Sequence, residues 1–227
     1  MQMSNETLNG IFETVGRRYS YDDISAGFSQ FRDFKVRWRR SYKWIEFDVS
    51  DYLEDAPEDV MESIADTIFA KIKGDEDATY GDKVCEWVMS DSFVDSKQSV
   101  YLGRCRGLSP GPEGSDRDLS ESYRRLVDAQ LVIDDPKMCL RWVQSGSRHQ
   151  SGTSSVLMRA VNINRILDTK EIPEVVLDYC LYAHICHIQM GFVPDSEDKK
   201  EEYKELLSRF PFKDAAETEM RRISLKI

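Results

Sequence analysis

No stretch of this sequence approaches the roughly 18 uninterrupted apolar residues a membrane-spanning helix needs, and no N-terminal apolar run resembles a signal peptide. The expectation is a cytoplasmic protein without a membrane partner. Cysteine is sparse: Cys85, Cys105, Cys139, Cys180 and Cys186 are five in number with no C-x-x-C pair. That argues against a disulfide framework and against a four-cysteine zinc knuckle, leaving reduced thiols that serve as small core residues. Positive charge is short as well. Thirty-one Lys and Arg against 41 Asp and Glu give a net charge of −10, which disfavours general affinity for phosphate backbones. The one glycine-rich segment lacks the G-K-[ST] of a phosphate loop, and no internal repeat is visible.

What is present is length and one unusual helix. At 227 residues the chain buries a core without covalent staples. Residues Pro173–His187, PEVVLDYCLYAHICH, are apolar on nearly every side, the mark of a core helix. His184 and His187 interrupt it. At about 100° per residue they share one narrow stripe with Cys180. A buried imidazole needs a partner, because an unpaired polar group costs about 1–3 kcal/mol. The stripe is therefore a metal site, the remnant of one, or a hydrogen-bonded core pair. As core residues both imidazoles are expected to be neutral. Their partners are then expected from the 138–163 hairpin or from the helix after Asp195.

The segment resembles the active-site helix of the SprT/YgjP-like zinc metallopeptidases, of the form P-x-x-V-I-D-Y-V-V-V-H-E-L-A-H. Pro173, Val176, Asp178, Tyr179 and His187 match it. Ala183 stands at the first histidine of H-E-x-x-H and His184 at the glutamate. Upstream, Gly146-Ser147 match the family's W-G-S turn, with Ser145 at the tryptophan, and Asn162 or Asn164 takes the place of a strand asparagine. Downstream, Tyr203 and Pro211 fit the ends of the following helix. The resemblance spans about residues 138–222. It implies a zincin-like domain whose central helix, 173–190, backs a sheet. It also implies a degenerate site, since the family's helix supplies two ligands one turn apart and a glutamate as general base. His184 occupies that general-base position. Ligands implied for any remaining metal are His184, His187, Asp198 and Cys180, with His149 as a more remote third ligand. Because Ala183 removes a ligand, no cofactor is expected; zinc is the alternative.

Periodicity organises the rest. A helix is expected over 5–16 and a polar connection over 17–33. The alternation in FKVRWRR and WIEFDV predicts a β-hairpin. A helix follows, capped by Asp55 with Pro57 in its first turn and stopped by Gly74. Another lies at about Tyr80–Met89. Residues 103–118, with four glycines and two prolines, read as a linker or lid. A helix over 119–131, a strand pair at 138–144 and 155–163, and helices at about 197–209 and 213–222 complete the reading. The fold class is α+β, with small antiparallel hairpins packed on helices. The divisions expected are an N-terminal α+β region, 1–102, the loop 103–118, and a zincin-like region, 119–227.

Two further features bear on chemistry. Residues 17–43 hold eight basic and three acidic side chains, so Lys35, Arg37, Arg39, Arg40 and Lys43 are the candidate nucleic-acid contacts; the plain alternative is a solvated charged face. Ser145, Ser147, Ser151, Ser154 and Ser155 surround His149 and read as a polar hairpin tip. Together these features favour a degenerate metallopeptidase-like protein, without ordinary peptidase activity, that binds a protein partner. The rival is an active metal-dependent hydrolase rebuilt around His184, His187 and a third ligand.

Overall fold

The structure is a computed structural model that describes residues 2–144, 149–193 and 196–227. It is α+β, with helices and two three-stranded mixed sheets. The chain divides into two compact units, Met1–Phe93 and Val94–Ile227. The division falls inside a helix, α4 of the scheme below, upstream of the glycine- and proline-rich loop. None of the described helices is long and apolar enough to cross a membrane.

The first unit comprises α1 (Asn5–Arg18), β1 (Asp23–Ser29), β2 (Val36–Arg40), β3 (Trp44–Ser50), α2 (Glu58–Ile72) and α3 (Asp82–Met89). β2 and β3 form the expected antiparallel hairpin, with Arg37 opposite Asp48 and Arg39 opposite Glu46. β1 falls within the stretch expected to be a polar connection, yet it pairs parallel to β3. Its alternation of Ile24, Ala26 and Phe28 is diluted by Ser25, Gly27 and Ser29. Helix α1 supplies what the strand lacks: Asn9 and Asn5 accept from the backbone N–H groups of Ala26 and Phe28 at 2.9 and 2.8 Å. Gly16 permits the close approach of α1, since a Cβ there would lie 2.3 Å from Ile24 Cδ1 and 2.7 Å from the Phe69 ring. Phe12, Phe47 and Phe69 meet beneath the sheet, with centroids 4.8–6.3 Å apart. The N-cap of α2 is Pro57 rather than Asp55, because a 3-10 turn over Asp51–Leu53 uses the preceding residues. Gly74, at φ 95°, follows the helix end as expected.

Helix α4 (Asp91–Arg104) leads into the second unit, which continues with α5 (Leu119–Asp128), β4 (Cys139–Val143), β5 (Gly152–Ser155), β6 (Ala160–Asn164), α6 (Glu174–Gln189), α7 (Glu197–Ser208) and α8 (Lys213–Arg222). The expected strand 155–163 is two strands. A four-residue turn, with Arg159 at φ 43°, folds β5 back antiparallel on β6, while β4 runs parallel to β6. Both sheets thus contain a parallel pair where purely antiparallel hairpins were expected. Parallel pairing needs a crossover of a dozen or more residues, and here that length is filled by a second strand or a hairpin.

The segment 103–118 begins at the end of α4 and lies inside the second unit, so it does not link the two units. Gln144 donates its N–H to Gly107 O, Ser109 donates to Trp142 O, and Trp142 Nε1 donates to Pro112 O. It lies along the free edge of β4 and shields it, as edge strands require. Its end is held by Asp168, whose carboxylate accepts three backbone N–H bonds from Ser115, Asp116 and Arg117. Burial raises the Asp168 pKa, but these donors outweigh it and hold the group below the usual value.

Helix α6 is the axis of the second unit. It is buried on all sides against β5, β6, α5, α7 and α8, as its all-round apolar sequence requires.

Candidate functional site

The polar stripe of α6 is the candidate site. His184 is 5 % exposed, and its Nε2 lies 3.1 Å from Ser151 Oγ. Ser151 precedes β5 and is fully buried, so it is not part of a polar tip. It is fixed through its backbone, donating to Lys226 O at 2.7 Å and accepting from Asn164 N at 2.8 Å. Asn164, one of the two asparagines in the resemblance, therefore sets the position of the serine that meets His184.

Ser151 also hydrogen-bonds the Cys180 thiol, and Cys180 Sγ in turn donates to Met220 Sδ at 3.8 Å. With His184 Nδ1 lacking any partner, the network assigns the ring proton to Nε2: a bare lone pair on Nδ1 is a smaller loss than a bare N–H. The relay then runs His184 to Ser151 to Cys180 to Met220. Burial governs its protonation. It pushes His184 down to about 4, with His187 adding to the effect, and it pushes Cys180 up to about 12 despite the Ser151 bond. Both groups are neutral across the physiological range.

The remaining candidates point elsewhere. His187 is half-buried and stacks on Tyr203 of α7, with centroids 3.9 Å apart and planes 22° from parallel. Its pKa is lowered by burial and then by Lys199. Asp198 is exposed in the first turn of α7. His149 Nδ1 is hydrogen-bonded with Ser224 O at 3.0 Å. No three His, Cys, Asp or Glu side chains among the described residues are grouped to hold a metal ion. The donor set implied by the resemblance is not gathered for zinc: His187 stacks on Tyr203, Cys180 Sγ bonds Met220, His149 bonds Ser224 O and Asp198 is exposed. Gly146, Ser147 and Ser145 lie outside the described residues, as does Asp195.

Asp178, another matching residue, leaves the helix on a different side. It takes a bidentate pair of bonds from Arg125, at 2.7 and 2.9 Å, together with a short bond from Ser122. That arrangement ties α5 to α6 and is structural. Tyr179 similarly donates to Glu217 of α8 at 2.7 Å.

In the first unit the basic hairpin is less cationic than its sequence. Arg37 pairs with Asp48 at 3.2 Å and Arg39 with Glu46 at 3.0 Å. Lys35 sits over the Phe31 ring. Arg40 donates to Tyr21 Oη and to the Ile72 carbonyl. Of the five, the Lys35 and Lys43 side chains have no charged or hydrogen-bonded partner among the described residues.

No family model, curated protein or solved structure matches this chain.

Proposed function

We propose that this chain is a binding protein whose second unit is a degenerate metallopeptidase-like scaffold without peptidase activity. The observation that carries the reading is the closed relay on α6. A general base must reach the proton it takes, and the atoms at the former general-base position are buried and bonded to one another. His184 serves as a neutral core residue, and Asp178 serves as a clamp between helices. The sheet backing α6 is what a zincin-like ancestry implies. Its partner is a protein on this reading. The net charge of −10 and the ion pairing of Arg37 and Arg39 leave little to hold a phosphate backbone.

Hydrolysis of unstructured protein and peptide substrates with added zinc tests this. Wild type is expected to give no turnover above buffer. Zinc-dependent turnover that disappears in His184→Ala would overturn the reading. One feature favours the rival, a rebuilt metal-dependent hydrolase using His184, His187 and a third ligand: the bare Nδ1 of His184 is a donor atom with nothing bound to it. Stoichiometric zinc in purified protein, lost in both His184→Ala and His187→Ala, would establish that rival.

A further inference from the structure

We propose that the first unit contains an independent binding site for a small phosphomonoester, of which a mononucleotide is the fitting class. A cleft of about 880 Å³ opens where the turn between β2 and β3 meets the start of β1 and the end of α2. That volume falls within the roughly 300–1,000 Å³ usual for small-molecule sites.

Three cations reach the cleft from three separate segments: Arg40 at the end of β2, Lys43 in the turn and Lys73 at the end of α2. Arg40 is held in place rather than neutralised. Its Nη1 donates to the Ile72 carbonyl at 3.0 Å and to Tyr21 Oη at 3.4 Å, and no described carboxylate pairs with it. A guanidinium fixed at one corner keeps its other donors for a bidentate partner. Lys73 Nζ rests 4.4 Å from the centroid of the Tyr21 ring. Neither it nor Lys43 has a carboxylate partner among the described residues. This separates the three from Arg37 and Arg39, which are paired on the same hairpin. None of the three forms an ion pair among the described residues, and with Asp22 and Asp23 in the same lining the cleft keeps one net positive charge toward a phosphomonoester of about −1.5 to −2 near neutrality.

The body of the ligand follows from the other lining groups. Tyr42 is 95 % exposed and packs on nothing, so its ring is free to stack on a planar base. Asp22 and Asp23 also line the cleft; their carboxylates accept from hydroxyl groups such as those of a ribose. A chain of net charge −10 repels a long polyanion over its whole surface, whereas a single phosphate meets only the cleft. A compact anion is thereby favoured over a nucleic-acid strand.

Titration calorimetry of the full chain with AMP, inorganic phosphate, adenosine and a short single-stranded oligonucleotide tests the proposal. AMP is expected to bind more tightly than adenosine, and less tightly as salt rises. The double variant Lys43→Ala with Lys73→Gln, both at exposed positions, is expected to weaken AMP by at least about tenfold. Tyr42→Ala is expected to weaken AMP while leaving inorganic phosphate unchanged. No AMP binding, AMP binding indifferent to the double variant, or adenosine binding as tight as AMP would each overturn the site. Oligonucleotide binding tighter than AMP would replace it with a nucleic-acid surface. Matching thermal unfolding of variant and wild type establishes that a loss comes from the cleft and not from misfolding.

Discussion

Ser151 Oγ and His184 Nε2 are 3.1 Å apart, and neither residue is more than 5 % exposed. The serine comes from the strand side of the second unit and the histidine from its central helix, so this one bond joins sheet to helix inside the core. It converts a pair that would read as catalytic on a surface into a packing device.

Removing the serine hydroxyl should therefore be felt as stability. Ser151→Ala leaves the His184 N–H and the Cys180 thiol without their shared partner, and an unsatisfied buried group costs about 1–3 kcal/mol. Urea unfolding monitored by circular dichroism should show a loss of that size. A change of only a few tenths would show that the bond contributes nothing to holding the helix on the sheet.

Acid should act through the same residue. The His184 pKa falls from 6.5 to about 4 on folding, so between these values the unfolded chain carries the extra proton. Stability from this group is complete above pH 6.5 and declines as the pH drops toward 4. The full shift corresponds to about 3 kcal/mol. His187, also depressed by burial and by Lys199, works in the same direction. Unfolding free energies at pH 7, 6, 5 and 4, compared between wild type and His184→Gln, isolate the contribution. The variant should lose less stability on acidification; parallel curves would mean that His184 titrates normally.

How far the sequence disclosed this arrangement depended on periodicity and on distance along the chain. Helix α6 was legible because its apolar residues run all round, and so was the need of its histidines for partners. The expected source was right for His184, whose hydrogen-bond partner Ser151 lies in the 138–163 stretch; His187, expected to hydrogen-bond as well, instead stacks on Tyr203 of the helix after Asp195. What stayed hidden was the identity of those partners. Ser151 sits among small polar residues that look like a turn, and nothing local signals that Lys226 and Asn164 pin its backbone inside. β1 was missed because its edge is satisfied by asparagine side chains from α1 rather than by its own pattern. The loop 103–118 carries the composition of a linker, yet long-range bonds to Trp142 and Asp168 give it a fixed course. In the hairpin, the basic alternation was plain, but its neutralisation depends on register. Only the pairing of β2 with β3 reveals Asp48 and Glu46 opposite Arg37 and Arg39.

The tightest constraint on the site is Gly152, the first residue of β5 after Ser151. A Cβ at this position would lie 2.4 Å from the carbonyl oxygen of Asn162, 3.2 Å from the Ile163 Cα and 3.1 Å from His184 Nε2. Two of these neighbours are backbone of the paired strand β6, which cannot swing aside as a flexible side chain does. Gly152→Ala must therefore push β5 away from β6 or drive the His184 ring off Ser151. Overpacking of this kind costs about 1–3 kcal/mol, and the upper end is expected because strand and relay are strained together. The readout beyond stability is the ring itself. In the variant, NMR titration should move the His184 pKa upward from about 4 as the displaced imidazole gains water. Unchanged stability with an unchanged titration would mean that β5 has room the geometry denies it, and that the contact between Gly152 and His184 does not constrain the core.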